Sequence, residues 1–202
     1  MVESEVAMQS PYAIAAMSPV VEQLERMGVR YYVGGSFASS AYGHMRTTQD
    51  VDLVADLAQQ HAVPLVDALK GSYYASLPAV SDAIARKSCF NLIHSSTSFK
   101  VDVFVLKDRE YDRVAIQRIS KKPFGEEESS RQFFVAAPED IVLSKLEWYR
   151  LGNEVSEMQW CDVIKVLTVQ KDVIDRSYLQ KWAAELRIAD LLEKAWSEVE
   201  SM

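Results

Sequence analysis

Apolar residues first recur at helical spacing over residues 18–27, where Val20, Val21, Leu24 and Met27 repeat behind Ser18, a capping residue, and Pro19, suited to a first helical position. Gly28 ends that pattern. The period then shortens: residues 30–33 hold Tyr31, Tyr32 and Val33 and run into Gly34-Gly35-Ser36, after which residues 37–42 suit a helix of small side chains. This predicts a strand, a tight turn and a helix N-terminus in succession. Residues 50–54 read as a second strand, residues 61–70 as an amphipathic helix closed by Gly71, and residues 73–76 as extended chain. A short helix over 81–87 precedes two strands, 89–94 and 100–106, joined by the polar turn Ser95-Ser96-Thr97-Ser98 as a hairpin. Residues 120–131 are polar and carry Pro123 and Gly125, the composition of a loop or flap. Beyond Pro138 the period is helical to the end, with helices expected over 138–151, 156–170, 177–186 and 188–199. Strands with interleaved helices thus come first and helices second, divided at 121–137.

Chemistry concentrates in the first part. Strand side chains alternate between faces, so Asp50 and Asp52 project together while Val51 and Leu53 face the core. Two carboxylates this close repel unless a cation compensates, and hard oxygen donors of this kind suit Mg²⁺ or Mn²⁺. Asp102 is the lone acid of the apolar run Val101-Asp102-Val103-Phe104-Val105. If that strand lies beside residues 50–54, three aspartates converge, enough to hold two ions about 3.5–4 Å apart for in-line displacement at phosphorus. Gly34 and Gly35 would let backbone amides approach a triphosphate at the positive end of the following helix, and Ser36 would add a hydroxyl. Arg46 could contact phosphate or balance the aspartates, since guanidinium geometry serves both.

Composition narrows the picture without changing it. The net charge of −7 opposes non-specific binding to a polyanion. The basic stretch from Lys107 to Lys122 is the one place where a nucleic-acid surface could form, and a solvated helix face accounts for it better. Cys89 and Cys161 lack any ligand spacing and read as buried, reduced thiols; His44, His61 and His94 form no constellation. Trp148, Tyr149, Trp160, Trp182 and Trp196 read as helical core. With neither a leader nor an apolar run of membrane-spanning length, a cytoplasmic protein making no membrane contact is expected.

Val33-Gly34-Gly35-Ser36, then Arg46-Thr47-Thr48-Gln49-Asp50-Val51-Asp52, then an isolated strand aspartate, resembles the DNA polymerase β-type nucleotidyltransferase superfamily. Within it the chain is similar to the AbiEii-type enzymes of bacterial abortive-infection and toxin–antitoxin systems, through Pro138-Glu139-Asp140-Ile141-Val142-Leu143-Ser144-Lys145-Leu146 and Asp162-Val163-Ile164. The likeness covers residues 30–106 and, more loosely, 138–170.

That resemblance implies an α+β fold: a nucleotidyltransferase-type mixed sheet flanked by helices, with a C-terminal helical part. The core would span 1–120, the loop 121–137 and the helical part 138–202. It further implies transfer of a nucleoside monophosphate from an NTP such as ATP to an acceptor hydroxyl. Asp50 and Asp52 would hold the metal of the NTP, Asp102 would hold a second metal and help deprotonate the acceptor, and Lys145 would reach the triphosphate. Asp162 is left without a role. A tRNA, a protein and a small aminoglycoside-type molecule remain open as acceptors, as do a cognate antitoxin partner and a non-catalytic protein of the same fold.

Overall fold

The computed structural model describes residues 11–42, 48, 50–124 and 131–202. These form a seven-stranded sheet covered by helices, with a helical part after it. Strands β1 (Tyr31–Val33), β2 (Asp50–Ala55), β3 (Tyr73–Tyr74), β4 (Cys89–His94), β5 (Lys100–Val105), β6 (Ser120–Pro123) and β7 (Gln132–Val135) stand in the order β3-β4-β5-β2-β1-β7-β6. The sheet is mixed: β2 runs parallel to β5 and β1 parallel to β7, whereas the β1/β2, β3/β4, β4/β5 and β6/β7 pairs are antiparallel.

Alternation along the central strands settles which face each residue takes. Val51, Leu53 and Ala55 of β2, with Val101, Val103 and Val105 of β5, are buried beneath helices α1 (Pro11–Arg26), α3 (Ala62–Leu69) and α4 (Leu77–Arg86). The residues between them face the other way, towards a cleft.

Helix α1 begins seven residues before the expected start, and Ser18 does not cap it: its Oγ donates to the carbonyl of Ile14 at 2.7 Å. The apolar stripe simply continues backward through Ala13, Ala16 and Met17, all fully buried, and carries Pro19 inside the helix. An interior proline costs about 3 kcal/mol. Burying Met17, Val20, Val21 and Leu24 at about 1.5–3 kcal/mol each outweighs it.

A second correction concerns residues 120–131, expected to be a loop. Ser120–Pro123 is strand β6, paired with β7, and β7 joins the sheet through Val33 and Val135. Phe133 and Val135 point inward and are fully buried, an alternation present in Gln132-Phe133-Phe134-Val135. Pro123 is tolerated because β6 is an edge strand.

Helix α5 (Glu110–Ala115) follows β5, and helices α6 (Pro138–Leu151), α7 (Glu157–Gln170), α8 (Arg176–Glu185) and α9 (Ala189–Ser201) fall within a residue or two of their expected bounds. The stops and starts are chemical: Pro138 stands in the first turn of α6, Ser156 caps α7 and Asp175 caps α8. Trp182 is buried as expected, but Trp148 is 48% exposed and lines the cleft. Both cysteines are exposed, against the expectation of burial: Cys89 alternates onto the cleft face of β4. Among the described residues no helix is long and apolar enough to cross a membrane.

Candidate active site

Parallel pairing of β2 with β5 sets Asp50 opposite Lys100 and Asp52 opposite Asp102. Residues paired in this way project from the same face. The cleft face therefore carries a rectangle of three carboxylates and one ammonium. Lys100 Nζ lies 2.7 Å from Asp102 Oδ2 and 3.8 Å from Asp50 Oδ2. Asn91, paired with Asp102 from the other side, donates its amide to Asp102 Oδ1, so both oxygens of Asp102 already have donors. The hydroxyl of Thr48 donates to Asp50 Oδ1 at 2.9 Å.

Asp52 sits differently. Burial first, then the charges of Asp50 and Asp102, push its carboxyl up to about 6, against the weaker pull of Lys145 and Lys100. Among the described residues no ammonium or guanidinium stands within ion-pair distance of it.

The glycine turn meets Asp52 directly. The N–H of Gly34 donates to the carbonyl of Asp52 at 2.9 Å, and Gly35 has φ +55°. A β-carbon on Gly35 would fall 1.7 Å from Asp52 Oδ2, inside any van der Waals contact. Only glycine satisfies both the left-handed backbone and that approach. Helix α2 (Gly35–Ser40) starts here, beside the carboxylates.

From the helical part, Lys145 and Asp162 reach the same place. Lys145 Nζ is 2.7 Å from Asp162 Oδ2 and 3.1 Å from Gln159 Oε1, and Ser36 Oγ is 3.5 Å from Asp162 Oδ2. Lys145 is 3% exposed and Asp162 is 1% exposed. Lys145 thus lines the cleft while engaged with a carboxylate, and Asp162 acquires a position: it joins α7 to Lys145 and to the turn. Arg46 lies outside the described residues.

Gly34, Gly35, Ser36, Asp52 and Lys145 open on a cavity of about 560 Å³. Tyr32, Val54, Phe104, Tyr111 and Trp148 give it aromatic and apolar walls, with the Phe104 and Trp148 rings edge to face at 5.7 Å. The arginine and two of the acids in its wall are already paired with one another. Arg109 bonds Asp112 at 2.6 and 3.2 Å and Glu147 at 2.5 and 3.2 Å. Arg118, from the same basic stretch, pairs with Glu139 at 2.7 Å and Asp140 at 3.3 Å and stacks 3.6 Å from the centre of the Tyr178 ring. Two of the basic residues between 107 and 122 therefore bind the protein itself and do not form a solvated face.

The structure brings together Gly34, Gly35, Ser36, Asp50, Asp52, Asp102 and Lys145. Two partners, Asn91 and Lys100, were not anticipated. The signal for Lys100 was available: it stands two residues before Asp102, so any pairing that presents Asp102 presents Lys100 as well. Among the described residues no three His, Cys, Asp or Glu side chains close into a metal cluster, and the Asp102 oxygens turn to Lys100 and Asn91. Asp50 and Asp52 nevertheless fit a divalent ion: two hard oxygen donors on one face, one with its carboxyl raised by burial and by neighbouring like charge.

No protein-family model matches the chain, and no curated protein is significantly similar to it in sequence. Solved structures are similar in fold. ANT(2")-Ia in complex with adenylyl-2"-tobramycin aligns with TM-score 0.56 and 13% identity over 86% of this chain and 96% of its own. An antigenic nucleotidyltransferase-like protein from Paracoccidioides brasiliensis aligns with TM-score 0.54 and 14% identity over 93% of each chain. A putative nucleotidyltransferase from Thermotoga maritima aligns with TM-score 0.51 and 15% identity over 79% of this chain and 98% of its own. With its mixed sheet, flanking helices and C-terminal helical part, the chain has the nucleotidyltransferase fold.

Proposed function

We propose that this protein is an enzyme that transfers a nucleoside monophosphate from an NTP to a hydroxyl of a small molecule. The observation that carries this reading is the strand register: Asp52 opposite Asp102, with Asp50 on the same face and the Gly34-Gly35 turn pressed against Asp52.

Asp50 and Asp52 would hold a divalent ion, Mg²⁺ or Mn²⁺, which supplies positive charge to the triphosphate. Gly35, Ser36 and the start of α2 bind phosphate oxygens beside it, and Lys145 faces the same space from α6. The acceptor oxygen forms its bond to the α-phosphorus as the bond from that phosphorus to the bridging oxygen breaks, and pyrophosphate leaves with the electron pair. Asp102 accepts the acceptor proton. Its oxygens keep lone pairs beyond those bound by Asn91 and Lys100.

Three observations favour a small acceptor. A cavity of about 560 Å³ matches small-molecule sites. Arginines that could have formed a phosphate-binding surface are used internally. The charge of −7 opposes a polyanion. AbiEii-type chemistry, with an RNA or protein acceptor and a cognate antitoxin, is the competing outcome of the same assay.

The test is incubation with each α-labelled NTP, Mg²⁺ and, separately, hydroxylated aminoglycosides and other small molecules, total tRNA and protein. Label should move to a small molecule with release of pyrophosphate, and Asp52→Asn should abolish transfer while leaving the melting temperature unchanged or higher. Transfer undiminished in Asp52→Asn would remove the site. Label on tRNA or protein would replace the acceptor class.

A further inference from the structure

We propose that Lys100 supplies, as a covalently attached cation, the positive charge at Asp102 that a second metal ion would otherwise bring, so that this site takes up one divalent ion, at Asp50 and Asp52. The inference rests on the nucleotidyl-transfer reading and specifies how its charge is arranged.

The argument is geometric. Lys100 precedes Asp102 by two residues on one strand and is the register partner of Asp50 on the next, so its backbone position places it at the fourth corner of the carboxylate rectangle. Its ammonium spans that rectangle, close against Asp102 and within reach of Asp50. Asn91 takes the remaining oxygen of Asp102. A metal entering at Asp102 would have to displace an ammonium tethered to the same strand and turn the carboxylate from an amide donor. A metal entering at Asp50 and Asp52 meets no such competitor on Asp52, whose carboxyl faces the glycine turn and two like charges. The competition is unequal across the site because the ammonium lies 2.7 Å from Asp102, 3.8 Å from Asp50 and beyond ion-pair distance of Asp52.

Lys100 is half-exposed and reaches its position without burial. Replacing it need not disrupt the core, and the folded variant is a fair test. Charge points the same way: with all three ionised, Asp50, Asp52 and Asp102 give the nucleotide-free rectangle −3, and the Lys100 ammonium leaves −2, the charge one divalent ion balances.

The experiment counts ions directly. Mn²⁺ is titrated into the full chain with a non-reactive α,β-methylene NTP analogue, and free ion is read by electron paramagnetic resonance. Wild-type protein should bind one Mn²⁺ in the site, Lys100→Met two, and Lys100→Arg, which keeps the charge, one. Asn91→Ala should also bind one, since the lysine remains. Two ions in wild-type protein, or one in a folded Lys100→Met, overturns the proposal. If Lys100→Met fails to fold, the wild-type count decides alone: one supports, two overturns. Should the chain not bind the analogue, the nucleotidyl-transfer reading fails, while the same count on nucleotide-free protein still tests Lys100.

Discussion

Two regions of this molecule hold clustered carboxylates, and they treat them oppositely. On the helical side Asp112, Glu147, Glu139, Asp140 and Asp162 each have a guanidinium or ammonium within ion-pair distance. Neutral donors add to two of them: Tyr178 donates to Asp140 Oδ1 at 2.8 Å and the Asp175 N–H to Glu139 at 2.9 Å. On the sheet face, Asp50 and Asp102 share Lys100, and Asp52, outside its ion-pair distance, carries the repulsion of its neighbours. Paired acids tie the helices together; on the proposed reading, Asp52, without an ion-pair partner beside the glycine turn, is where a cation would be drawn. Asp102 is buried as Asp112 and Asp140 are, so the difference between them lies in the partners.

The largest effect should come from forcing the sheet face apart. Gly35→Ala places a β-carbon into Asp52 Oδ2 and demands a left-handed φ of alanine. Displacing a reacting group by about 1 Å costs on the order of 10²-fold in rate, and the backbone strain about 1–3 kcal/mol in stability. Steady-state turnover and thermal melting would both fall. The clash is chiefly with the carboxylate, so Gly35→Ala should destabilise less in an Asp52→Ala background. Equal losses in the two backgrounds would mean the turn, and not Asp52, sets the fit.

On the helical side the same logic predicts a loss of stability. Lys145→Met removes the ammonium from Asp162 at a site where both side chains are almost fully buried. Taking one partner from a buried pair costs about 3–5 kcal/mol. Urea denaturation should show it. Lys145→Met, Asp162→Asn together should recover part, since the second change removes the carboxylate that lost its ammonium. A double variant no more stable than the single would show that the pair does not act as a unit.

The contrast between the regions also explains how much could be read beforehand. Gly34, Gly35, Asp50, Asp52 and Asp102 were legible because strand alternation and a glycine turn are local rules, and the four terminal helices because period and caps are local too. What was hidden depends on which strands become neighbours. Asn91 meets Asp102 only through the β4/β5 register, and Asp162 meets Lys145 only because α6 packs on α7. Residues 120–123 looked like loop since Ser120, Lys121, Lys122 and Pro123 carry no buried side chain; an edge strand needs only backbone partners, and β7 supplies them. Trp148 misled in the other direction, an aromatic residue at helical spacing that faces the cavity.

The smallest effect is a pH dependence. Burial, aided by the charge of Glu139, pushes the Asp140 carboxyl up to about 6, against the hydrogen bond from Tyr178 and the charge of Arg118. Between the ordinary value of 3.8 and about 6, native Asp140 holds a proton that the unfolded chain has released, so stability falls as pH rises through that window and levels off above it. A gap of this size is worth at most about 3 kcal/mol at 1.36 kcal/mol per unit, and relaxation around Arg118 should leave about 1–2. Asp52, raised to about 6, adds a slope of the same sign. The two regions separate in one set of melts at pH 4.5, 5.5, 6.5 and 7.5. Asp140→Asn should flatten one share of the slope with or without divalent ion, and Mn²⁺ should flatten the other only where Asp52 is intact. If Asp140→Asn and wild type give superimposable profiles, Arg118 and Tyr178 compensate Asp140 fully, and the helical region holds its acids at no cost in stability.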